Sequence, residues 1–293
     1  MQAEMVNAPG SHALTIDVED WHQMFLRRLG HPMGPPSPSV ASAMSRLLDM
    51  LDECDVKATF FVVGLLAESS PDLVREIARR GHEVGSHSHH HRLVHSMAPR
   101  DFKDEMVRAR GFLQDLVGQP IDGFRAPEFS VKELGHWSFD VLAETGFRYD
   151  SSVFPARARY GIPDAPRRPF VHHTKSGDLA EFPLAVWGAG PLTVPVAGGS
   201  YYRLLPPWLL TRALTSLHDA GTTATLYFHP YEFYSGWLHL TGLSRREQLR
   251  PAYWKVVALH NFMTGRISPL LAGLLGRFSF VRLGDLHHTL FGA

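Results

Sequence analysis

Cysteine is nearly absent from this 293-residue chain: Cys54 stands alone, which excludes an intrachain disulfide and a cysteine-built zinc site. An excess of either charge is absent as well, since 29 lysines and arginines balance 29 aspartates and glutamates. A neutral chain carries no electrostatic footprint for a phosphate backbone, so nucleic acid is not an expected partner. No apolar run approaches the roughly 18 residues of a membrane span, and none is expected. Residues 1–11 show neither a basic start nor an apolar stretch, so no signal peptide is expected and the cytoplasm is the expected compartment. Internal repeats and low-complexity tracts are missing too.

Histidine, in contrast, is abundant at 18 residues. Gly85-Ser86-His87-Ser88-His89-His90-His91-Arg92 places His87 and His91 four apart. On a helical turn that spacing puts both imidazoles on one face, within reach of one metal ion. Neutral imidazole is the commonest biological metal ligand. A surface histidine tract satisfies the same pattern, so the rest of the chain has to decide.

Apolar, β-branched runs at 13–18, 56–63, 121–124, 147–152, 180–187, 222–228 and 278–283 predict strands. Apolar residues at helical spacing predict helices over 40–51, 71–80, 99–119, 136–145, 207–220 and 245–263, several opened by proline and stopped by glycine. Residues 30–38 hold four prolines and two glycines and predict a loop. Strands alternating with helices imply parallel β/α units. Reactive residues recur at strand ends: Asp17, His87, Arg125, Asp150 and His229. Parallel α/β folds build active sites at those ends, and five converging ends suggest a barrel more than an open sheet.

These pieces resemble the polysaccharide deacetylase family with the NodB homology domain, a carbohydrate esterase type. The matching elements are Thr15-Ile16-Asp17-Val18-Glu19-Asp20, His87-Ser88-His89-His90-His91, Arg125-Ala126-Pro127 and Leu226-Tyr227-Phe228-His229-Pro230, in the family's order. Gly198-Gly199-Ser200-Tyr201-Tyr202-Arg203 and His229-Pro230-Tyr231-Glu232-Phe233 further resemble a branch linked to exopolysaccharide and O-antigen clusters. The resemblance implies an α/β fold, a distorted (β/α)7-type barrel. It implies one domain over 1–293, with a core at about 12–230 and a C-terminal helical extension and closing strand at about 231–293. It implies metal-dependent removal of an N-acetyl group from an amino sugar of a bacterial surface polysaccharide or its precursor. Pro127, Asp150, Ser152 and Tyr201 would line the sugar site.

The chemistry asks for the same parts. A divalent transition metal (zinc first, with cobalt, nickel or iron also suited) would be held by His87, His91 and a carboxylate, leaving room for water and a carbonyl. Asp17 is the expected general base, oriented by Arg125, and His229 the expected acid for the departing amine. His89, His90 and His95 are expected in supporting loop positions. The family's usual form has two adjacent aspartates, whereas here Val18 follows Asp17. Strand alternation turns Glu19 to the same side as Asp17, favouring Glu19 as ligand with Asp20 as the alternative. Two competing readings remain: hydrolysis of a non-sugar amide on the same scaffold, and an inactive carbohydrate-binding relic.

Overall fold

The structure is a computed structural model that describes residues 10–29, 31 and 35–292. Most of the signal-peptide reading and part of the 30–38 loop therefore lie outside the described residues. The strands are β1 (Ser11–Val18), β2 (Thr59–Val62), β3 (Glu83–Ser86), β4 (Gly123–Phe124), β5 (Tyr149–Asp150), β6 (Phe170–Thr174), β7 (Gly177–Glu181), β8 (Val186–Trp187), β9 (Val194–Pro195), β10 (Thr225–Phe228) and β11 (Ser279–Val281). β10, β1, β2, β3, β4, β5 and β7 lie side by side in that order, all parallel. A parallel bridge from Leu184, just past β7, to Thr225 of β10 closes the ring. Seven strands thus make a distorted barrel, with two of them only two residues long and the closure resting on a single bridge.

Alternation along β1 explains its two faces. Leu14, Ile16 and Val18 are buried in the main apolar core, while Thr15 and Asp17 both meet the Arg125 guanidinium. The helices include α3 (Gly64–Ser69), α6 (Ser138–Glu144), α7 (Gly199–Leu204) and α8 (Pro207–Asp219). α2 (Pro38–Glu53) buries Val40, Met44, Leu47, Leu48 and Leu51, the stripe its spacing predicts. α4 (Pro71–Arg79) and α5 (Pro99–Val117) also start at proline and match expectation.

Several elements differ. The expected strand over 180–187 divides into β7 and β8 around Pro183, and β7 pairs antiparallel with β6 as a hairpin. The expected helix over 245–263 breaks into α9 (Arg245–Gln248) and α10 (Pro251–Asn261), because Pro251 cannot continue the preceding turn. Sequence periodicity missed α1 (Trp21–Arg28), α11 (Ile267–Leu275) and α12 (Leu283–Phe291). β11 adds to β1 at Ser11–Ala13, beside the ring. Among the described residues, no helix is long and apolar enough to cross a membrane.

Candidate metal centre and active site

β1 delivers Asp17 and then turns sharply, Glu19 donating its N–H to the Asp17 carbonyl at 3.0 Å. The turn swings the Glu19 carboxylate over the barrel mouth. There it lies 2.6 Å from His91 Nε2 and 4.0 Å from His87 Nε2. One ligand atom from each of Glu19, His87 and His91 falls within a 4.8 Å cluster. His87 Nδ1 donates to the Arg125 carbonyl at 2.9 Å. That bond fixes the tautomer with the proton away from the cluster and presents the Nε2 lone pair to it, the usual arrangement behind a metal-bound imidazole. Burial drives the His87 pKa down to about 4, with Asp17 and Glu19 opposing, so the ring is neutral and able to ligate near neutral pH. Burial alone would raise the Glu19 pKa, but the imidazoles of His91, His229 and His87 hold it well below the carboxylate range.

The two histidines do not converge through a helical turn. Ser88 and His91 both adopt positive φ, at 63° and 53°, and Ser88 Oγ accepts the His91 N–H at 2.9 Å. A compact left-handed turn brings the ring centroids to 5.1 Å. Such conformations cost energy for residues other than glycine and persist where the surroundings impose them. Asp20 goes elsewhere. Its carboxylate accepts from Ser37 Oγ at 2.9 Å and from the His22 N–H at 3.1 Å, tying the start of α1 to the start of α2. His89 lies 3.3 Å from Glu68, His90 lies 3.5 Å from Glu105 and His95 Nδ1 lies 3.1 Å from the Ser130 carbonyl, all outside the cluster.

Arg125 is fully buried, and four of its five side-chain N–H groups are hydrogen-bonded. It donates to Asp17 Oδ1 at 2.8 Å, Thr15 Oγ1 at 2.6 Å, the Ser151 carbonyl at 2.9 Å and Ser151 Oγ at 2.7 Å. Its guanidinium carbon sits 4.4 Å from the Phe61 ring centroid. A buried arginine needs such partners, and they leave the Asp17 carboxylate one orientation. His229, at the end of β10, brings Nε2 to 3.5 Å from Glu19 on the other side of the cluster.

Residues 33–149 match the polysaccharide deacetylase family, and residues 151–287 match a domain of unknown function, DUF3473. The chain thus carries a polysaccharide deacetylase segment over residues 33–149. Over 118 residues it is 31% identical to a peptidoglycan-N-acetylglucosamine deacetylase of Bacillus cereus, covering 36% of this chain and 43% of that one. Over 100 residues it is 34% identical to a chitooligosaccharide deacetylase of Sinorhizobium fredii, covering 33% and 42%. The alignments thus span less than half the length of these relatives. A solved structure from Mycobacterium smegmatis, assigned as a polysaccharide deacetylase, superposes with a TM-score of 0.64 at 19% identity, covering 99% of this chain and 94% of that one, a likeness of fold.

The deacetylase-family segment holds His87, His91 and Arg125, but Asp17 and Glu19 precede it and His229 follows it. Tertiary structure joins the three stretches around a cavity of about 210 Å³. Its walls include Trp21, Phe25, Phe129, Tyr227, Tyr231 and His260, none of which sequence reasoning had placed there. Tyr227 and Tyr231 flank His229 in sequence and were visible to that extent; His260 arrives from α10 and gave no signal. Behind His229 stands Glu232, buried, its carboxylate accepting the His229 N–H at 3.0 Å and lying 3.8 Å from the ring Nδ1. A Cβ on Gly199 would sit 1.8 Å from the Glu232 carboxylate, and one on Gly198 2.2 Å from the Tyr227 ring. Arg203 lies 4.0 Å from Glu232. The Gly-Gly-Ser-Tyr-Tyr-Arg and His-Pro-Tyr-Glu-Phe stretches are therefore one packed unit behind the histidine. Burial lowers the His229 pKa, but the carboxylates of Glu232, Glu19 and Asp17 outweigh it and raise it to about 9.

The expected sugar-site residues are not brought to the cavity. Pro127, Asp150, Ser152 and Tyr201 are missing from its lining, whereas Glu128 and Phe129, next to Pro127, are on it. Asp150 and Ser152 are fully buried. Ser152 donates to Asp150 through Oγ at 2.6 Å and through N–H at 3.0 Å, and also caps the Ala126 N–H. These bonds brace the strand end that carries Arg125. Asp150 packs against Glu181, itself 3.1 Å from His172. Burial first, then the neighbouring carboxylate, pushes Asp150 far up; burial pushes Glu181 up from 4.5 to about 7. A carboxyl raised on folding stabilises fully below its unfolded pKa and loses that contribution as pH rises through its folded pKa. The Glu181 contribution is thus expected to disappear between about pH 4.5 and 7, on the order of 3 kcal/mol at about 1.4 kcal/mol per unit. Thermal melts of wild type and Glu181→Gln across that range test it. The variant should show a shallower decline, with the Asp150 carboxyl still contributing its own part, and parallel curves would refute the assignment.

Proposed function

We propose that this protein is a metal-dependent hydrolase that removes an N-acetyl group from an amino sugar of a bacterial surface polysaccharide or its precursor. The observation that carries the reading is the meeting, at one cavity, of the Glu19/His87/His91 cluster, the buried Asp17–Arg125 pair and His229. The names of the curated relatives, deacetylases of peptidoglycan and chitooligosaccharide, support a glycan. Two imidazoles and a carboxylate suit zinc, cobalt, nickel or iron and do not suit calcium or magnesium, and zinc is our first choice. When bound, such a metal is a Lewis acid that lowers the pKa of a water and polarises a carbonyl.

The chain's own groups supply the rest. Asp17, aimed by Arg125, accepts the proton of the water that adds to the acetyl carbonyl carbon. His229 gives a proton to the sugar nitrogen as the C–N bond breaks, so acetate and a free amine leave. Glu232 orients His229 from behind. The ring faces of Trp21, Tyr227 and Tyr231 offer apolar surfaces to the sugar and exclude water.

The test is mass spectrometry for loss of one acetyl group from a panel of N-acetylated sugars, their lipid- and nucleotide-linked forms, and cyclic amides. Chelation should abolish the loss and a transition metal should restore it. Turnover of a cyclic amide alone would replace the sugar reading by hydrolysis of a non-sugar amide. Elemental analysis should find one metal per chain. Glu19→Ala should lower that content sharply, while Asp20→Ala, whose carboxylate serves Ser37 and His22, should leave it nearly intact; the reverse would transfer the ligand role to Asp20.

A further inference from the structure

α10 carries large apolar side chains on its inner and its outer side, and only the inner side is packed. Its inner side presents Tyr253 and Val256 to an apolar cluster with Trp21, Leu26, Tyr231 and Leu238, and buries Val257. His260 on the same side stacks on Trp21 at 5.7 Å and lines the cavity. The outer side carries Trp254 and Leu259, and Phe262 and Met263 continue it, exposed by 39–58%. Leu249, just before the helix, is 79% exposed. A soluble helix ordinarily puts charge on its outer face, and clustered exposed aromatic and aliphatic side chains mark a binding surface.

The charges around this face choose its occupant. Arg245, Arg246, Arg250 and Lys255 are all exposed, against the single carboxylate of Glu247, which is engaged by His31 at 2.8 Å. Four cations and one carboxylate in eleven residues stand out in a chain whose net charge is zero. Exposed tryptophan, leucine and phenylalanine interspersed with arginine and lysine is the composition of a surface that enters a membrane interface. A hydrophobic protein partner would not call for the cationic rim, whereas anionic headgroups do.

We infer that the outer face of α10, with Leu249, Trp254, Leu259, Phe262 and Met263, docks the protein onto an anionic lipid bilayer without crossing it. Because His260 on the inner face of the same helix walls the cavity, docking holds the reaction site about one helix diameter, roughly 10 Å, from the lipid surface. The inference is independent of what the cavity hydrolyses, since binding is read without turnover.

Flotation of the full chain with vesicles tests it. In roughly 0.1 M salt, binding to phosphatidylcholine vesicles containing about 30% phosphatidylglycerol should exceed binding to pure phosphatidylcholine by about tenfold, and should fall as salt is raised toward about 1 M. Trp254→Ser/Phe262→Ser should lose binding to both compositions. Arg245→Glu/Arg246→Glu/Arg250→Glu should lose only the preference for phosphatidylglycerol. Both variants should keep the wild-type melting temperature and metal content. Absence of wild-type binding to the anionic vesicles would overturn the inference. So would undiminished binding by both variants, or a wild-type dimer that Trp254→Ser/Phe262→Ser converts to monomer, which would give this face to a second copy of the chain.

Discussion

Asp17→Asn is expected to keep its metal and lose roughly 10²–10⁴ in kcat, the usual consequence of removing a general base. The geometry makes this substitution informative. Asn retains an oxygen where Asp17 Oδ1 accepts from Arg125 at 2.8 Å, so the side chain should stay in place. What is lost is the capacity to take a proton. Asp17 is not one of the three clustered ligand residues, so metal content should not follow activity. The substitution also leaves the Arg125 charge without its counter-charge inside the barrel. Breaking a buried pair typically costs about 3–5 kcal/mol; keeping the hydrogen bond should hold the loss to the low end or below. Kinetics should therefore be measured well below the variant's melting temperature. A folded, metal-replete Asp17→Asn protein with a near-wild-type rate would remove Asp17 from the base role.

His229→Ala should produce the second large loss, again about 10²–10⁴ in kcat, with little change in KM. An amine is a poor leaving group as its anion. The intermediate reverts to amide unless the nitrogen receives a proton, and that proton matters only as the bond breaks. The wild-type rate should fall on the alkaline side as the imidazolium is lost, and His229→Ala should lack that limb. The limb should lie above the ordinary histidine range, because the Glu232 and Glu19 carboxylates raise the ring's pKa against the effect of burial. Glu232→Gln should move the limb to lower pH while leaving KM unchanged, which separates a proton-donor effect from simple loss of packing. Metal content should be unaltered in both variants. A His229→Ala enzyme that keeps its kcat and its alkaline limb would assign proton delivery to another group.

Much of this protein is set by short-range pattern. The apolar alternation of residues 13–18 fixes which side of β1 faces inward, and with it the partnership of Asp17 and Arg125, whereas the direction of Glu19 is set by the turn that follows the strand. The apolar spacing of residues 40–51 and the prolines at 71 and 99 place helices where the structure has them, because a helix face and a helix start are local properties. His87, Arg125 and His229 were legible in the sequence as strand-end residues, and His91 through its spacing from His87. Tertiary structure decided what depends on partners distant in sequence. α1 is short, and Trp21 and Leu26 are buried by Tyr231 and Leu238 more than 200 positions away, so no local periodicity announces it. The ring closes through Leu184 and Thr225, a single bridge that no run of residues encodes. Asp150 and Ser152 look like a reactive strand end, yet the register against Glu181 turns them inward, where they brace Arg125. His260 enters the cavity, and Trp254 faces away from it, only because α10 lies across the barrel mouth. Glu232 reaches the back of His229 only because Gly199 leaves room for its carboxylate, a close approach between backbone and side chain that exists nowhere but in the folded chain.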